Sequence, residues 1–325
     1  MMQKLMDKFD GLLMKLINLT TNLFTKEKQF KKILFGLAVL SILCPVNAWS
    51  TVVNLGSVPD VADTSYRWKD IADNVYQTSY QTSFTYDQTK ANLTYDDFSN
   101  TFSGTLTATG LKPNFAYQMK LVGSSDIDDW TNEQLGYAGR WWYTRYDSSG
   151  NIISQGNTTD TFYDAHKGDS SYVFQGYLLF DFFVTDENGN ASSSVFADSS
   201  YHVLWNILQM PRTSSDGPIT ATTFDPAIGT FYDTDFPIAT IEIYAQWEPG
   251  RALSGALVLT PGEYTCQFIL TEESFHSPPE DTLGGYWAGA MEGNVTFTVV
   301  PLPANIFLLG SGLIGLLGIR RKFKK

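Results

Sequence analysis

Residues 102–122 read FSGTLTATGLKPNFAYQMKLV, and this stretch decides the fold class. Apolar and polar residues alternate in residues 102–109, as they do in a strand that buries one face. Residues 110–114 (GLKPN) combine Gly, Pro and Asn, the residues that favour turns, and residues 115–122 (FAYQMKLV) return to a strand composition. The stretch therefore predicts two β-strands joined by a turn.

Two further turns share one sequence pattern, with Asp at the first position and Gly-Asn at the last two. They are residues 147–151 (DSSGN) and 186–190 (DENGN). Gly supplies the positive φ that such turns need, so we predict that each turn closes a hairpin. The predicted strands are residues 140–146 and 152–155 around the first turn, and 172–185 and 191–196 around the second.

The rest of the body, residues 49–299, continues in the same way, and no helical periodicity of useful length interrupts it. Such a pattern is typical of all-β proteins. We predict an elaborated antiparallel β-sandwich in one domain, with two sandwiches split near residue 125 or 210 as the alternative. Later strands are predicted at residues 239–247, 256–259, 264–270 and 294–299, and mostly loop-like stretches at 124–139, 209–235 and 275–285.

Two short segments resemble a corner found in immunoglobulin-like and fibronectin type III domains. In Leu111-x-Pro113-x-x-x-Tyr117 a turn leads to a Tyr at the start of a strand, and residues 259–264 (LTPGEY) are a shorter version ending in Tyr264. The resemblance implies that each Tyr hydroxyl hydrogen-bonds to the backbone of the preceding turn. It concerns the fold alone.

Charge divides the chain into three parts. Residues 1–48 carry seven Lys and three acidic residues, and residues 301–325 carry five Lys or Arg and no acidic residue. Residues 49–300 carry ten Lys or Arg against 31 Asp or Glu, a net charge of −21. Nucleic acids and anionic membranes both require basic surfaces, so this balance argues against either as a partner of the body.

The N-terminal region has the parts of a secretory signal peptide. A basic block at residues 26–32 (KEKQFKK) precedes the apolar run at residues 33–43, and Val46 and Ala48 stand at positions −3 and −1 of a cut before Trp49. The 11-residue run is short for a transmembrane helix, the alternative reading, because a span needs about 20 residues. The long region before it leaves the true start codon open.

The C-terminus contains three segments in a fixed order. Residues 300–304 (VPLPA) form a proline-stiffened segment, residues 305–319 (NIFLLGSGLIGLLGI) are apolar, and residues 320–325 (RRKFKK) are basic. With its flanking residues the apolar segment reaches the roughly 20 residues that span a membrane. The basic end is expected to remain cytoplasmic while the acidic body lies across the membrane.

These segments resemble the PEP-CTERM sorting signal in its VPLPA variant. The resemblance covers residues 300–325, under a tenth of the chain, and Leu302 stands where the commoner form has Glu. It implies an exported protein of a Gram-negative cell whose C-terminal helix is removed by an exosortase, with a plain tail anchor as the alternative. The sorting and cleavage residues are Val46, Ala48, Val300, Pro301, Pro303, Ala304, Arg320 and Arg321.

No catalytic constellation is recognisable in the body. His166, His202 and His276 are too widely spaced for a metal-binding motif, and no G-x-S-x-G segment occurs. His202 lies in a strand-like run, which favours a structural role. Cys266 alternates within a predicted strand and is expected to be a buried apolar residue rather than a nucleophile.

Acidic and aromatic residues supply the remaining candidates. Asp126, Asp128 and Asp129 form an oxygen-rich loop that is a weak candidate for calcium, although Asp in a turn also stabilises the turn itself. Adjacent Trp141 and Trp142 point to opposite faces of a strand, so at least one is expected in the core. The candidates for contact with a glycan are Trp130 and Trp287.

We therefore predict a non-enzymatic protein of the cell surface or extracellular matrix, without a cofactor. Signal peptidase and an exosortase are its predicted partners, with exopolysaccharide as the candidate ligand. A transient membrane anchor precedes its release to the surface or matrix. The alternative is a secreted carbohydrate-active hydrolase, whose pair of carboxylates cannot be chosen among 31 acidic residues.

Overall fold

The computed structural model describes residues 49–58, 67–71, 74–126, 128–206, 218–224, 231–232, 239–247, 257–272, 276–277 and 288–301. Most of these described residues lie in β-sheets, and nearly all of the strand pairs are antiparallel. The predicted all-β class is confirmed. The described strands are β1 Ser50–Asn54, β2 Gly56–Ser57, β3 Arg67–Trp68, β4 Ala91–Asp96, β5 Phe98–Ser99, β6 Ser103–Ala108, β7 Ala116–Val122, β8 Arg140–Tyr146, β9 Ile152–Thr158, β10 Tyr172–Val184, β11 Ala191–Phe196, β12 Tyr201–Asn206, β13 Pro218–Phe224, β14 Ala239–Trp247, β15 Gly262–Glu272, β16 His276–Ser277 and β17 Ala288–Val299. The described helices are α1 Thr78–Ser83, α2 Trp130–Ala138 and α3 Asp160–His166.

Two sheets share one apolar core. The smaller has the strand order β1-β4-β6-β11, and the larger has the order β2-β17-β15-β7-β10-β8-β9 with β5 added in parallel beside β17. Phe102, which leads into β6, contacts the rings of Phe180, Phe268 and Phe297 of the larger sheet at centroid distances of 6.1, 6.0 and 4.7 Å. Aromatic packing of this kind stabilises the contact through buried apolar area.

A third sheet has the order β12-β14-β13, and a buried polar side chain of the larger sheet helps to fix its position. Gln118 of β7 is fully buried. Its Oε1 accepts from the backbone N–H of Val203 at 2.5 Å, and its Nε2 donates to the carbonyl of Tyr201 at 3.2 Å. A buried amide that makes these bonds avoids the cost of an unpaired polar group, so it specifies where β12 docks.

Several predicted elements need correction. The turn at residues 186–190 does not close a hairpin, because β10 pairs with β7 and β8 while β11 pairs with β6 in the other sheet. No strand occurs in the described part of the predicted segment 256–259. Strand β13 lies in a stretch predicted as loop, as does helix α2. The hairpin of β8 and β9 is confirmed.

Helix α2 was not predicted because polar residues lie on its buried face. Asn132 and Thr131 are buried, so no apolar stripe marks the helix in the sequence. Asn132 Oδ1 accepts from the N–H of Gly176 at 2.6 Å, and its Nδ2 donates to the carbonyl of Phe174 at 3.1 Å. A Cβ on Gly176 would lie 2.1 Å from the carbonyl oxygen of Asn132, so the close approach of helix and strand requires glycine.

Candidate functional site

The folded body reaches to the first residues of the C-terminal motif. Strand β17 ends at Val299, and the backbone N–H of Val300 still donates to the carbonyl of Ser99 at 2.7 Å. Earlier in the strand, Thr298 donates to the carbonyl of Asp97 at 2.8 Å. These bonds hold the chain up to Val300, and the exposed Pro301 is the last residue described.

A shallow apolar cavity of about 290 Å³ adjoins this C-terminal junction. Val299, Val300 and Pro301 are among the residues that line it. Phe196 and Val258, which are 43% and 81% exposed, line it as well. Large apolar side chains at such exposures are uncommon on a soluble surface when they cluster, so the junction presents an apolar patch beside the motif.

The remaining predicted sorting residues lie outside the described part of the chain. They are Val46, Ala48, Pro303, Ala304, Arg320 and Arg321. The predicted signal and C-terminal helices also lie outside it. None of the helices in the described ranges has the length and apolar content that a membrane span needs.

The two tryptophans predicted as glycan contacts have different outcomes. Trp130 begins helix α2 and is 38% exposed, with one side of its ring packed on Tyr264 at a centroid distance of 4.9 Å. Part of its indole is therefore accessible to a ligand. Trp287 lies outside the described residues. Trp141 is fully buried and Trp142 half-buried, as predicted for neighbours on opposite faces of β8.

The acidic loop before α2 is engaged in local hydrogen bonds. Asp126 Oδ1 accepts from the N–H of Asp128 at 3.1 Å, and Asp129 Oδ1 accepts from the N–H of Thr131 at 2.9 Å as the N-cap of α2. These are the roles of Asp in turns and helix caps. Within the described ranges, no group of three His, Cys, Asp or Glu side chains is placed to hold a metal ion.

The histidines and the cysteine are dispersed. His202 Nε2 lies 3.0 Å from Nη1 of Arg140, and His166 Nδ1 lies 2.8 Å from the carbonyl oxygen of Phe162 within α3. The side chain of His276 lies outside the described part. Cys266 is buried in β15 as predicted, and burial raises the pKa of its thiol well above the ordinary value. A thiol in that state is a poor nucleophile.

The most unusual chemistry in the described residues is an ion pair in the core. Lys112 Nζ lies 2.7 Å from Oε1 of Glu272, and both side chains are fully buried. The ammonium also lies 3.4 Å from the centroid of the Trp68 ring and 5.0 Å from that of Phe115. Fully buried charges are rare because desolvation is costly, even when the charges are paired.

Two tyrosines complete this Lys112–Glu272 cluster. The backbone N–H of Lys112 donates to the Tyr117 hydroxyl at 3.1 Å, which lies 3.0 Å from the Tyr86 hydroxyl. Tyr86 donates to Oε1 of Glu272. Since a hydroxyl has one proton, Tyr117 donates to Tyr86. Lys112 therefore reaches Glu272 by two routes, from its backbone N–H through the two tyrosines and directly from Nζ.

Two neighbouring crossovers between the sheets position Lys112. Residues 110–115 lead from β6 to β7, and residues 185–190 lead from β10 to β11. The N–H of Leu111 donates to the carbonyl of Gly189 at 2.9 Å, and Thr185 Oγ1 donates to the carbonyl of Lys112 at 2.6 Å. The backbone on both sides of Lys112 is therefore fixed.

Burial dominates the electrostatics of the cluster. Desolvation lowers the pKa of Lys112 to about 8, although the Glu272 carboxylate opposes that shift. Burial, reinforced by Glu272, raises the pKa of Tyr86 and Tyr117 well above 10, so both phenols remain protonated and can donate. The arrangement brings an amine of lowered pKa against a carboxyl group, with both side chains fully buried.

The sequence drew attention to part of this cluster through the Tyr117 corner, and the predicted hydroxyl contact with the preceding turn is confirmed there. The shorter corner is confirmed as well, because Tyr264 donates to the carbonyl of Thr260 at 2.9 Å. Lys112 was predicted only as part of the turn at residues 110–114, and no sequence pattern singled out Glu272 or Tyr86. Contacts across 160 residues of chain are not visible in a local pattern.

Comparison with protein families, with curated proteins and with solved structures found no match for this chain.

Proposed function

We propose that this protein is an exported, non-enzymatic component of the cell surface or extracellular matrix that an exosortase releases at its C-terminal motif. The observation that carries the proposal is the position of the motif relative to the folded body. The VPLPA segment starts at Val300, which is the last residue in the described ranges whose N–H is bonded to a neighbouring strand. Cleavage after this point removes no hydrogen bond or core residue of the described sheets.

The apolar junction cavity supports the same proposal. A membrane protease that cuts near Ala304 works within a few residues of Pro301, so it must approach the surface formed by Phe196, Val258 and Val300. Apolar residues at that surface fit contact with a membrane enzyme, whereas the net charge of −21 over residues 49–300 keeps the rest of the body away from anionic lipid. The motif and its setting are therefore consistent with removal close to the membrane.

We also propose that the body is an elaborated β-sandwich with the strand order of immunoglobulin-like domains. In the smaller sheet, the neighbouring strands β4-β6-β11 correspond to strands A-B-E of that fold. In the larger sheet, β17-β15-β7-β10 correspond to strands G-F-C-C′. Tyr264 stands at the start of the strand that corresponds to F, where such domains have their tyrosine corner. Domains of this kind commonly serve as surface modules, and exopolysaccharide is the ligand that we propose for this one.

Intact mass spectrometry of the full chain, expressed in an exosortase-containing host, tests the sorting proposal. We expect a species that begins at Trp49 and ends near Ala304 in the surface fraction or the medium. The double variant Pro301→Ala/Pro303→Ala should retain the basic tail and stay in the membrane fraction, whereas the control Pro261→Ala, beside the cavity but outside the motif, should be processed normally.

A wild-type species that keeps residues 320–325 in that host would contradict the proposal and favour a permanent tail anchor. Deletion of residues 301–325 should release the protein from the envelope. Glycan cleavage by the purified protein would instead support the alternative of a carbohydrate-active hydrolase.

A further inference from the structure

The Lys112–Glu272 cluster joins two parts of the chain that are far apart in sequence. Lys112 belongs to the crossover before β7, and Glu272 is the last residue of β15, 160 residues later. Strand β15 pairs with β7 so that Glu272 stands opposite Tyr117. The register of two core strands thus sets the amine against the carboxyl group.

Complete burial imposes a desolvation cost on the charged forms of this pair, although the aromatic faces around Nζ attract an ammonium. Trp68, Phe84, Tyr86 and Phe115 all have ring centroids within 6 Å of the Lys112 ammonium, and neither charged side chain is exposed to solvent. Moving one proton from Nζ to the carboxylate converts two buried charges into a neutral amine and a neutral acid. This transfer removes the desolvation cost of both ions and produces the two neutral groups that a condensation consumes.

We propose that Lys112 and Glu272 condense to an intramolecular amide, a covalent cross-link that the folded protein forms in its own core. The proposal is independent of the sorting signal. It follows from the contact of the two groups, their complete burial and the hydroxyl group that Tyr86 presents to the same carboxyl oxygen.

The reaction requires no oxidant or added reagent. The lone pair of neutral Nζ attacks Cδ of the protonated Glu272 carboxyl group, and a C–N bond forms. The Tyr86 hydroxyl, which donates to Oε1, stabilises the negative charge that develops on that oxygen. The other carboxyl oxygen leaves as water after taking a proton from the nitrogen, so one C–O bond breaks and one water is released.

The core supplies the two conditions that make condensation favourable. Contact between the groups replaces a bimolecular encounter by an intramolecular one. Exclusion of solvent keeps the concentration of water low at the new amide, which opposes hydrolysis. The product also removes both buried charges and covalently joins the crossover at residues 110–115 to the end of β15.

Peptide mapping of the full-length protein under denaturing conditions tests the cross-link. We expect one branched peptide that contains both Lys112 and Glu272 and weighs one water less than the sum of its two linear parts. Fragmentation should locate the bond between Nζ and Cδ of these residues. Recovery of the two peptides only in linear form, which is the result expected for a buried salt bridge only, would overturn the proposal.

Three variants make the assignment specific. Lys112→Arg keeps a positive charge but should abolish the branched peptide. Lys90→Arg is the matched control, because Lys90 lies 4.8 Å from the Phe84 ring of the same cluster but does not contact Glu272, and it should leave the branched peptide intact. Tyr86→Phe should reduce the linked fraction at least tenfold at a fixed time after refolding. A branched peptide joined through any other pair of residues would also overturn the proposal.

Discussion

Two turns with the same sequence pattern, residues 147–151 and 186–190, have the same internal structure and opposite roles in the fold. In both, one Oδ1 of the leading Asp accepts from two backbone N–H groups, with distances of 2.8 and 2.9 Å in the first turn and 2.9 and 2.7 Å in the second. Gly150 and Gly189 have φ angles of +83° and +76°. The shared sequence pattern therefore forms the same local hydrogen bonds in both turns.

The difference lies in what surrounds each turn. The first turn joins β8 to β9, which pair with each other, and a Cβ on Gly150 would meet nothing within 4 Å. The second turn connects the two sheets, and a Cβ on Gly189 would lie 1.9 Å from the carbonyl oxygen of Leu111. A turn sequence therefore specifies a change of chain direction but not which strand the chain pairs with afterwards.

The largest expected effect comes from replacing the two glycines. Gly189→Ala should lower the free energy of unfolding by about 3–5 kcal/mol, because it combines a positive φ with a collision against fixed backbone. Gly150→Ala should cost only about 1 kcal/mol, since its conformation is strained but its surroundings are open. Urea unfolding measures both. Equal losses in the two variants would contradict the role of the Leu111 contact.

A smaller difference is expected from the asparagines that end the turns. Asn190 Oδ1 accepts from the N–H of Gly110 at 3.2 Å, in addition to the bond of its amide with Asp186, whereas Asn151 bonds only within its own turn among the described contacts. Asn190→Ala should therefore cost about 1–2 kcal/mol and Asn151→Ala about 0.5 kcal/mol. The same unfolding experiment checks the order, and a larger loss for Asn151→Ala would reverse our interpretation.

Making the two turn sequences identical should change stability very little. The double variant Glu187→Ser/Asn188→Ser converts residues 186–190 into the sequence of residues 147–151. Both side chains are exposed, and the variant keeps the Asp and Gly-Asn positions that the two turns share. The free energy of unfolding should therefore change by less than about 0.5 kcal/mol. A larger loss would show that the middle residues also contribute to docking on Leu111.

The smallest effect concerns the titration of Asp147. Hydrogen bonds from Asn151 and Ser149 hold the pKa of its carboxyl group below the ordinary value. A depressed pKa in the folded state contributes stability above the unfolded pKa and loses it as the pH falls through the folded pKa. An NMR titration should show Asp147 below a typical Asp, and Asn151→Ala should move the pKa upwards. An unchanged pKa in that variant would exclude Asn151 as the main cause.

The same limit on local information explains the rest of the fold. The tyrosine corners and the burial of Cys266 could be predicted, because a Tyr after a turn and an apolar alternation are features of a few adjacent residues. Helix α2 could not, since its buried polar face depends on the backbone of β10 for its partners. The hairpin predicted across residues 186–190 was wrong for the same reason.

By itself, the sequence determined the all-β class, the position and chemistry of the turns, and the order of segments at the two ends on which the sorting hypothesis depends. These properties follow from periodicity and composition over short windows. Only the tertiary structure decided that residues 110–115 and 185–190 cross between sheets side by side, and that Lys112 meets Glu272 in the core. The pairing of distant strands sets both outcomes, because a contact across 160 residues depends on register and packing rather than on neighbouring side chains.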